Sequence, residues 1–113
     1  MQEYQAPLAD MKFVLRELID LDLLAQLPGF NEITLDVAGA VLEEAAKFAG
    51  GVLSPLNRSG DLEGARWQEG EVLTAAGWKQ AYSRFAADGW SALSCPAEFG
   101  GHGRCISIAP TRP

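Results

Sequence analysis

Thr34-Leu35-Asp36-Val37-Ala38-Gly39-Ala40-Val41-Leu42-Glu43-Glu44-Ala45-Ala46-Lys47-Phe48-Ala49-Gly50-Gly51-Val52 is the stretch whose reading decides the fold. Val37, Val41, Ala45, Phe48, Ala49 and Val52 return at the 3.6-residue period of an α-helix and form a buried arc. Glu43, Glu44 and Lys47 lie on the opposite side, with Glu43 and Lys47 spaced to pair at i and i+4. Thr34 can accept an amide hydrogen bond as the N-cap, and Asp36 places negative charge in the first turn, where the helix dipole favours it. Each glycine of Gly50-Gly51 weakens the last turns by about 1 kcal/mol relative to alanine, and Pro55 is expected to stop propagation. Asn57 to Gly64, dense in residues that favour turns, is then expected to be a loop.

Upstream, Leu8, Met11, Leu15, Leu18 and Ile19 make one apolar stripe, with Lys12, Arg16, Glu17 and Asp20 turned away. Asp22 would fall inside that stripe, so this helix should end or bend near Asp20, and Pro28-Gly29 closes the short segment that follows. Downstream, Glu69-Gly70 between Trp67 and Val72-Leu73 suits a small hairpin. A further helix is expected with Thr74 as its cap, Trp78, Ala81, Tyr82 and Phe85 as its inner face, and Gly89 as the glycine that ends it. Trp90 and Leu93 should tuck beneath it. These elements predict an all-α fold, a small antiparallel helical cluster with one short hairpin. Its core should join Leu15, Leu18 and Ile19 to Val41, Ala45 and Phe48, and to Trp78, Tyr82 and Phe85.

The chain has 113 residues, about one domain, with 48% hydrophobic and 21% charged residues, well away from the composition of disorder. Nine Lys and Arg against 15 Asp and Glu give a net charge of -6. That sign argues against nucleic acid, whose affinity comes from neutralising phosphates. No apolar run approaches the ~20 residues of a membrane span, and Met1 to Asp10 lacks the form of a secretion signal. A cytoplasmic location follows as the expectation. Cys95 and Cys105 have neither metal nor redox spacing and are expected as free thiols.

The residues offer little chemistry on their own. His102, the sole histidine, has no Cys, Asp or second His at ligand spacing, so no metal site is expected. Ser91 and Ser94 have no partner base, and Glu43 and Glu44, about 100° apart on a helix, cannot face one reacting atom. Phe99-Gly100-Gly101-His102-Gly103 is the one glycine-rich cluster; it is neither a phosphate loop nor a dinucleotide turn, and by spacing alone it is a flexible loop.

Particular strings say more. Tyr4-Gln5-Ala6-Pro7-Leu8-Ala9-Asp10-Met11 with Phe13 and Leu15 resembles the start of acyl-CoA dehydrogenases of a long subgroup that carries an N-terminal extension. Leu27-Pro28-Gly29-Phe30, Leu42 to Phe48, and Pro55-Leu56-Asn57-Arg58-Ser59-Gly60-Asp61 with Gly64 follow in the same order as in that family. Gly89-Trp90 leading to Pro96, Glu98, Phe99, Gly100, Gly101 and Gly103 completes the resemblance. It implies residues 1–103 as an N-terminal helical domain of a flavoenzyme that oxidises acyl-CoA to the 2,3-enoyl-CoA through FAD and passes electrons to an acceptor. The family's glutamate base and most FAD contacts lie in its other domains, so no catalytic residue is assigned here. The resemblance places Phe99, Gly100, Gly101 and Gly103 at one edge of the substrate pocket, with a plain loop as the alternative.

From Arg104 to Pro113 the sequence departs from the family, which continues there as a helix. Residues 104–113 are therefore expected as an irregular, non-family tail, such as a shifted reading frame would give, and the chain as a truncated piece that alone binds no FAD and is inactive. Apolar faces left bare should favour self-association. The alternative is an acidic all-α interaction or structural module without enzymatic activity.

Overall fold

Thr34 caps the decisive helix as its sequence requires: its backbone is extended, and its side chain accepts the Val37 N–H at 3.2 Å. The computed structural model describes residues 3–101, so His102, Gly103, Cys105 and the tail expectation lie outside the described residues. Helix α1 (Leu8–Phe13) runs into a π-helical turn at Val14–Leu18, and α2 (Leu21–Leu24) follows a reversal at Asp20. Helix α3 (Leu35–Phe48) continues through a second π-helical turn, Ala49–Leu53, into α4 (Ser54–Glu63). Strands β1 (Arg66–Gln68) and β2 (Glu71–Leu73) pair antiparallel with Trp67 opposite Val72, and α5 (Trp78–Ala87) leads to short 3-10 turns at Trp90–Ala92 and Ala97–Phe99. The described chain is thus mostly helical with one small hairpin. No helix among its described residues is long and apolar enough to cross a membrane.

Pro55 does not stop the helix, and Asn57 to Gly64 is not a loop. In an unbroken α-helix, proline lacks the amide needed for the i→i−4 bond and its ring collides with that carbonyl. The π-helical turn changes the register just before it: the Ser54 N–H reaches the Ala49 carbonyl, and Pro55 falls in the first turn of α4, where proline is tolerated. Gly64, at φ 67°, is the residue that ends the run.

The result is a helical spine from Leu35 to Glu63, roughly 43 Å long at about 1.5 Å per residue. Two limbs lie antiparallel along it. The N-terminal limb sets Lys12 over Gly39 and against Glu43, with its Nζ 2.7 Å from the Glu43 carboxylate. The C-terminal limb sets Trp78 against Gly60, Gly77 against Leu56 and Phe85 against Phe48, whose ring centroids are 6.1 Å apart. Glu43 therefore pairs with Lys12 and not with Lys47, which bonds Glu44 at 2.6 Å instead.

The apolar interior is split rather than single. Leu15, Leu21, Ile33 and Ala38 are buried together under α1, α2 and the start of α3, with Ile19, Leu24, Leu35 and Leu42 packed around them. Phe48, Ala75, Ala81 and Leu93 are the other buried apolar residues. Three expected core residues are exposed: Leu18 at 73%, Tyr82 at 69% and Trp78 at 47%. For Leu18 the cause is the first π-helical turn, which is wider than 3.6 residues per turn and rotates Leu18 away while Leu15 and Ile19 stay inward. Trp78 packs one edge of its indole on Gly60 and leaves the rest bare, and Tyr82, stacked beside Phe85, lies on the outer side of α5. Thr74 is not the cap: α5 begins at Trp78 after Gly77 at φ 85°, and the Glu63 carboxylate accepts the Ala76 N–H at 3.1 Å. Gly89, at φ 80°, follows α5 as expected.

Phe48 links the spine to α5, so its truncation opens a cavity at that junction. Phe48→Ala should cost about 3 to 5 kcal/mol, a large part of the stability of a small domain, and appear as a lowered thermal midpoint. An unchanged midpoint would remove Phe48 from the interior.

Candidate functional site

Pro96 to Gly101 forms a closed turn, and its glycines have identifiable structural tasks. The amides of Phe99 and Gly101 both donate to the Pro96 carbonyl at 3.1 Å, and the Gly100 amide donates to Ala97 at 3.0 Å. This is the bond pattern of a Schellman motif, which needs a left-handed residue at the position of Gly100, here at φ 80°. A Cβ on Gly101 would run into the Cys95 carbonyl. The structure thus brings Phe99, Gly100 and Gly101 onto one backbone-bonded turn, with the Phe99 ring 79% exposed. Gly103, the fourth expected pocket residue, lies outside the described residues.

Two adjoining clefts lie along the C-terminal limb. One, of about 550 Å³, is lined by Glu44, Lys47, Phe48, Arg84, Asp88 and Trp90. The other, of about 280 Å³, is mostly apolar and is lined by Ala40, Val41, Trp90 and Leu93 with carboxylates from Glu44 and Asp88. Trp90 borders both, and its Nε1 is buried without a hydrogen-bond partner among the described residues. Sequence alone marks Trp90 as an apolar residue tucking back beneath α5; nothing in its spacing reveals the unpaired donor.

The charges in the larger cleft are already committed. Lys47 Nζ lies 2.6 Å from Glu44, and Arg84 Nε lies 3.6 Å from Asp88 with its guanidinium 5.9 Å above the Phe48 ring. Hydrogen bonding to Glu44 holds the Lys47 ammonium above its ordinary pKa. Both pairs are solvent-exposed, so each contributes little. No group of three metal-ligating side chains occurs among the described residues.

A third cleft, about 320 Å³, separates α1 from α3 and holds the Lys12–Glu43 pair beside Leu15, Arg16, Leu35 and Asp36. Glu43 and Glu44 point to different partners, on α1 and within α3 respectively, as their 100° divergence requires. Ser91, Ser94 and Cys95 are exposed, and Cys95 is a free thiol. The described residues hold no nucleophile set against a base. What they present is apolar surface, paired charge and one rigid turn.

No family model matches the chain. Over 100 residues, 88% of its length, it is 44% identical to the 3-methylmercaptopropionyl-CoA dehydrogenase of Ruegeria pomeroyi. The chain spans only 17% of that protein's length.

The Lys12–Glu43 contact gives the site a measurable pH signature. The hydrogen bond and charge of Lys12 pull the Glu43 carboxyl below its ordinary value near 4.5. A folded-state pKa below the unfolded one stabilises above the unfolded value, and that contribution disappears as pH falls through the folded value. Glu43→Gln should therefore lower stability slightly at neutral pH, since exposed pairs contribute modestly, and take the same small amount out of the loss of stability below about pH 4.5. Parallel acid-unfolding curves for parent and variant would contradict the pairing.

Proposed function

We propose that this chain is the N-terminal helical portion of an FAD-dependent dehydrogenase of acyl-CoA thioesters, serving it as scaffold, and that it is inactive alone. The observation that carries this reading is the 44% identity over 88% of the chain to a protein named as an acyl-CoA dehydrogenase. A match over 100 of the 113 residues is far longer than a shared turn or a single common helix would produce. The order of the family-like strings along the sequence supports the same assignment and the long, N-terminally extended subgroup.

On this reading acyl-CoA, FAD and the electron acceptor are partners of the whole enzyme, and the catalytic base comes from outside residues 3–101. The contribution of this part is positional. Alignment of cofactor, substrate and base supplies up to ~7 to 11 kcal/mol of barrier lowering in a fully assembled site. A domain can serve that alignment by presenting a rigid edge, and the Pro96–Gly101 turn, with Phe99 projecting from it, is such an edge. On this reading Phe99, Gly100 and Gly101 set that edge against the substrate, and Gly103, outside the described residues, is assigned to the same pocket edge by the resemblance alone. A cytoplasmic setting suits the exposed thiol of Cys95, which a reducing compartment preserves.

A chimera tests the assignment directly. Replacing the matching 100 residues of the Ruegeria pomeroyi protein with those of this chain should leave turnover of 3-methylmercaptopropionyl-CoA within about tenfold, since ~1.4 kcal/mol is the scale of a modest packing mismatch. A chimera that folds but has lost all turnover would favour the non-enzymatic module. The isolated chain should leave the fluorescence of micromolar FAD unchanged; tight FAD binding, or turnover by the chain alone with an artificial electron acceptor, would overturn the scaffold assignment.

Exposed apolar side chains give a further expectation. Leu62 at 74%, Trp67 at 74%, Val72 at 65% and Phe99 at 79% are bare. Large apolar patches favour association, so the isolated chain should sediment as a mixture of monomer and larger species at high concentration. A strictly monomeric boundary would argue against self-association.

A further inference from the structure

The segment before α1 lies across the second π-helical turn, more than 40 positions away in sequence. The Tyr4 amide donates to Ser54 Oγ at 3.2 Å. At the other end of the same turn, the Tyr4 carbonyl oxygen lies so close to Gly50 that a Cβ there would meet it at 3.3 Å. One residue of the segment, Tyr4, is thus held at both ends of the turn, its amide by the hydroxyl of Ser54 and its carbonyl against the bare Cα of Gly50. Gly51, next along the helix, has nothing within 4 Å of its would-be Cβ. The two glycines share one sequence context and have opposite surroundings.

We propose that residues 3–7 are a strap whose seat is the Ala49–Leu53 turn, so that docking of the strap and the π register of the spine stabilise each other. Ser54 and Gly50 flank the extra residue that the π-helical turn inserts. A return to α register between them would turn the downstream helix by about 100° relative to the upstream one, the step of one residue. The Tyr4 amide and carbonyl could not then keep both contacts. Conversely, with the strap removed, no described atom outside the helix's own backbone remains within 4 Å of the place a Gly50 Cβ would take. The tether is short at its other end: the Pro7 carbonyl accepts the Met11 amide at 3.0 Å, and Lys12 fixes α1 to Glu43. Release of the strap therefore needs only residues 3–6 to lift, with Pro7 and α1 remaining in place.

The matched pair Gly50→Ala and Gly51→Ala tests this. Both add the same methyl group and the same helix propensity, but only the first presses on the strap. Residue-resolved amide exchange by NMR on the full chain reads the result, with far-UV circular dichroism confirming that each variant is helical. Gly50→Ala and Ser54→Ala should each speed exchange of the Tyr4 amide by about tenfold or more, the range expected when one local contact is lost. In the same variants the amides of Leu53 and Ser54 should exchange faster, while Gly51→Ala leaves Tyr4 as protected as in the parent. Equal behaviour of the two glycine variants, or a parent Tyr4 amide exchanging at the free-peptide rate, would overturn the strap. Faster Tyr4 exchange with Leu53 and Ser54 unchanged would overturn its coupling to the helix register.

Discussion

Pro55 within a helical run is the constraint on which the rest of the structure depends. Left in α register it would end the helix in the middle of the molecule, and the limbs would have two short supports in place of one spine. The π-helical turn at Ala49–Leu53 removes the conflict by moving the hydrogen-bond register before the proline, so that the missing amide falls where none is required. Gly50 and Gly51 then have a different meaning from the one their helix propensity suggests. They occupy the widened turn itself, and Gly50 admits the backbone of another segment. Everything that packs on the spine beyond Phe48, including Leu56 beneath Gly77 and Gly60 beneath Trp78, depends on that continuity.

Amphipathic periodicity was informative wherever the helix is regular. The Thr34 cap, the reversal at Asp20, the hairpin around Glu69-Gly70 and the closing Gly89 all follow from local rules, and local geometry decides them. Of the expected arc Val37, Val41, Ala45, Phe48, Ala49 and Val52 only Phe48 is buried, the others being half-buried, while Ala38 and Gly39 are buried beneath the N-terminal limb instead. Asp20 adopts φ 53° and caps α2 through its own carboxylate, a role open to a short acidic side chain that tolerates the left-handed region. Two failures fall at the π-helical turns, whereas the Thr74 cap and the inner placement of Trp78 and Tyr82 fail where α5 is entered and packed. A wheel drawn at 3.6 residues per turn places Leu18 inside and stops the second helix at Pro55, because no single-sequence rule signals an inserted residue. Partner choice was equally hidden: Glu43 is correctly spaced for Lys47, but the antiparallel limb brings Lys12 to it from 31 positions away.

The candidate site was legible in its strings and not in its geometry. Phe99, Gly100 and Gly101 could be picked out as a glycine-rich cluster, and the structure gives two of them specific reasons to be glycine: a positive φ at Gly100 and a backbone contact at Gly101. Those reasons concern the turn's own construction. They account for both glycines through the backbone alone. The unpaired Trp90 donor and the cation–carboxylate pairs around it arise from tertiary packing between α3 and α5, which no linear spacing encodes.

The shape of the molecule goes with its divided interior. A compact chain of about 100 residues has a radius of gyration near 13 Å, whereas this one measures 16.8 Å with extents of 53 × 36 × 19 Å. A flat body of that thickness is little more than one layer of helices beside another, so most side chains lie near a surface and the interior divides into separate clusters. The hairpin shows the consequence most plainly. Trp67 and Val72 face each other across its strands, yet both remain mostly exposed, and one cross-strand pair contributes only about 0.2 to 1 kcal/mol. A two-stranded ribbon is marginal by itself. Its order here comes from both ends: Glu69 and Gly70 adopt the positive φ values of a tight hairpin turn, and Glu63 ties the start of the next helix back to the end of the spine. The apolar pair is therefore held in place by the turn and the tie, and its own apolar surface remains available for contact.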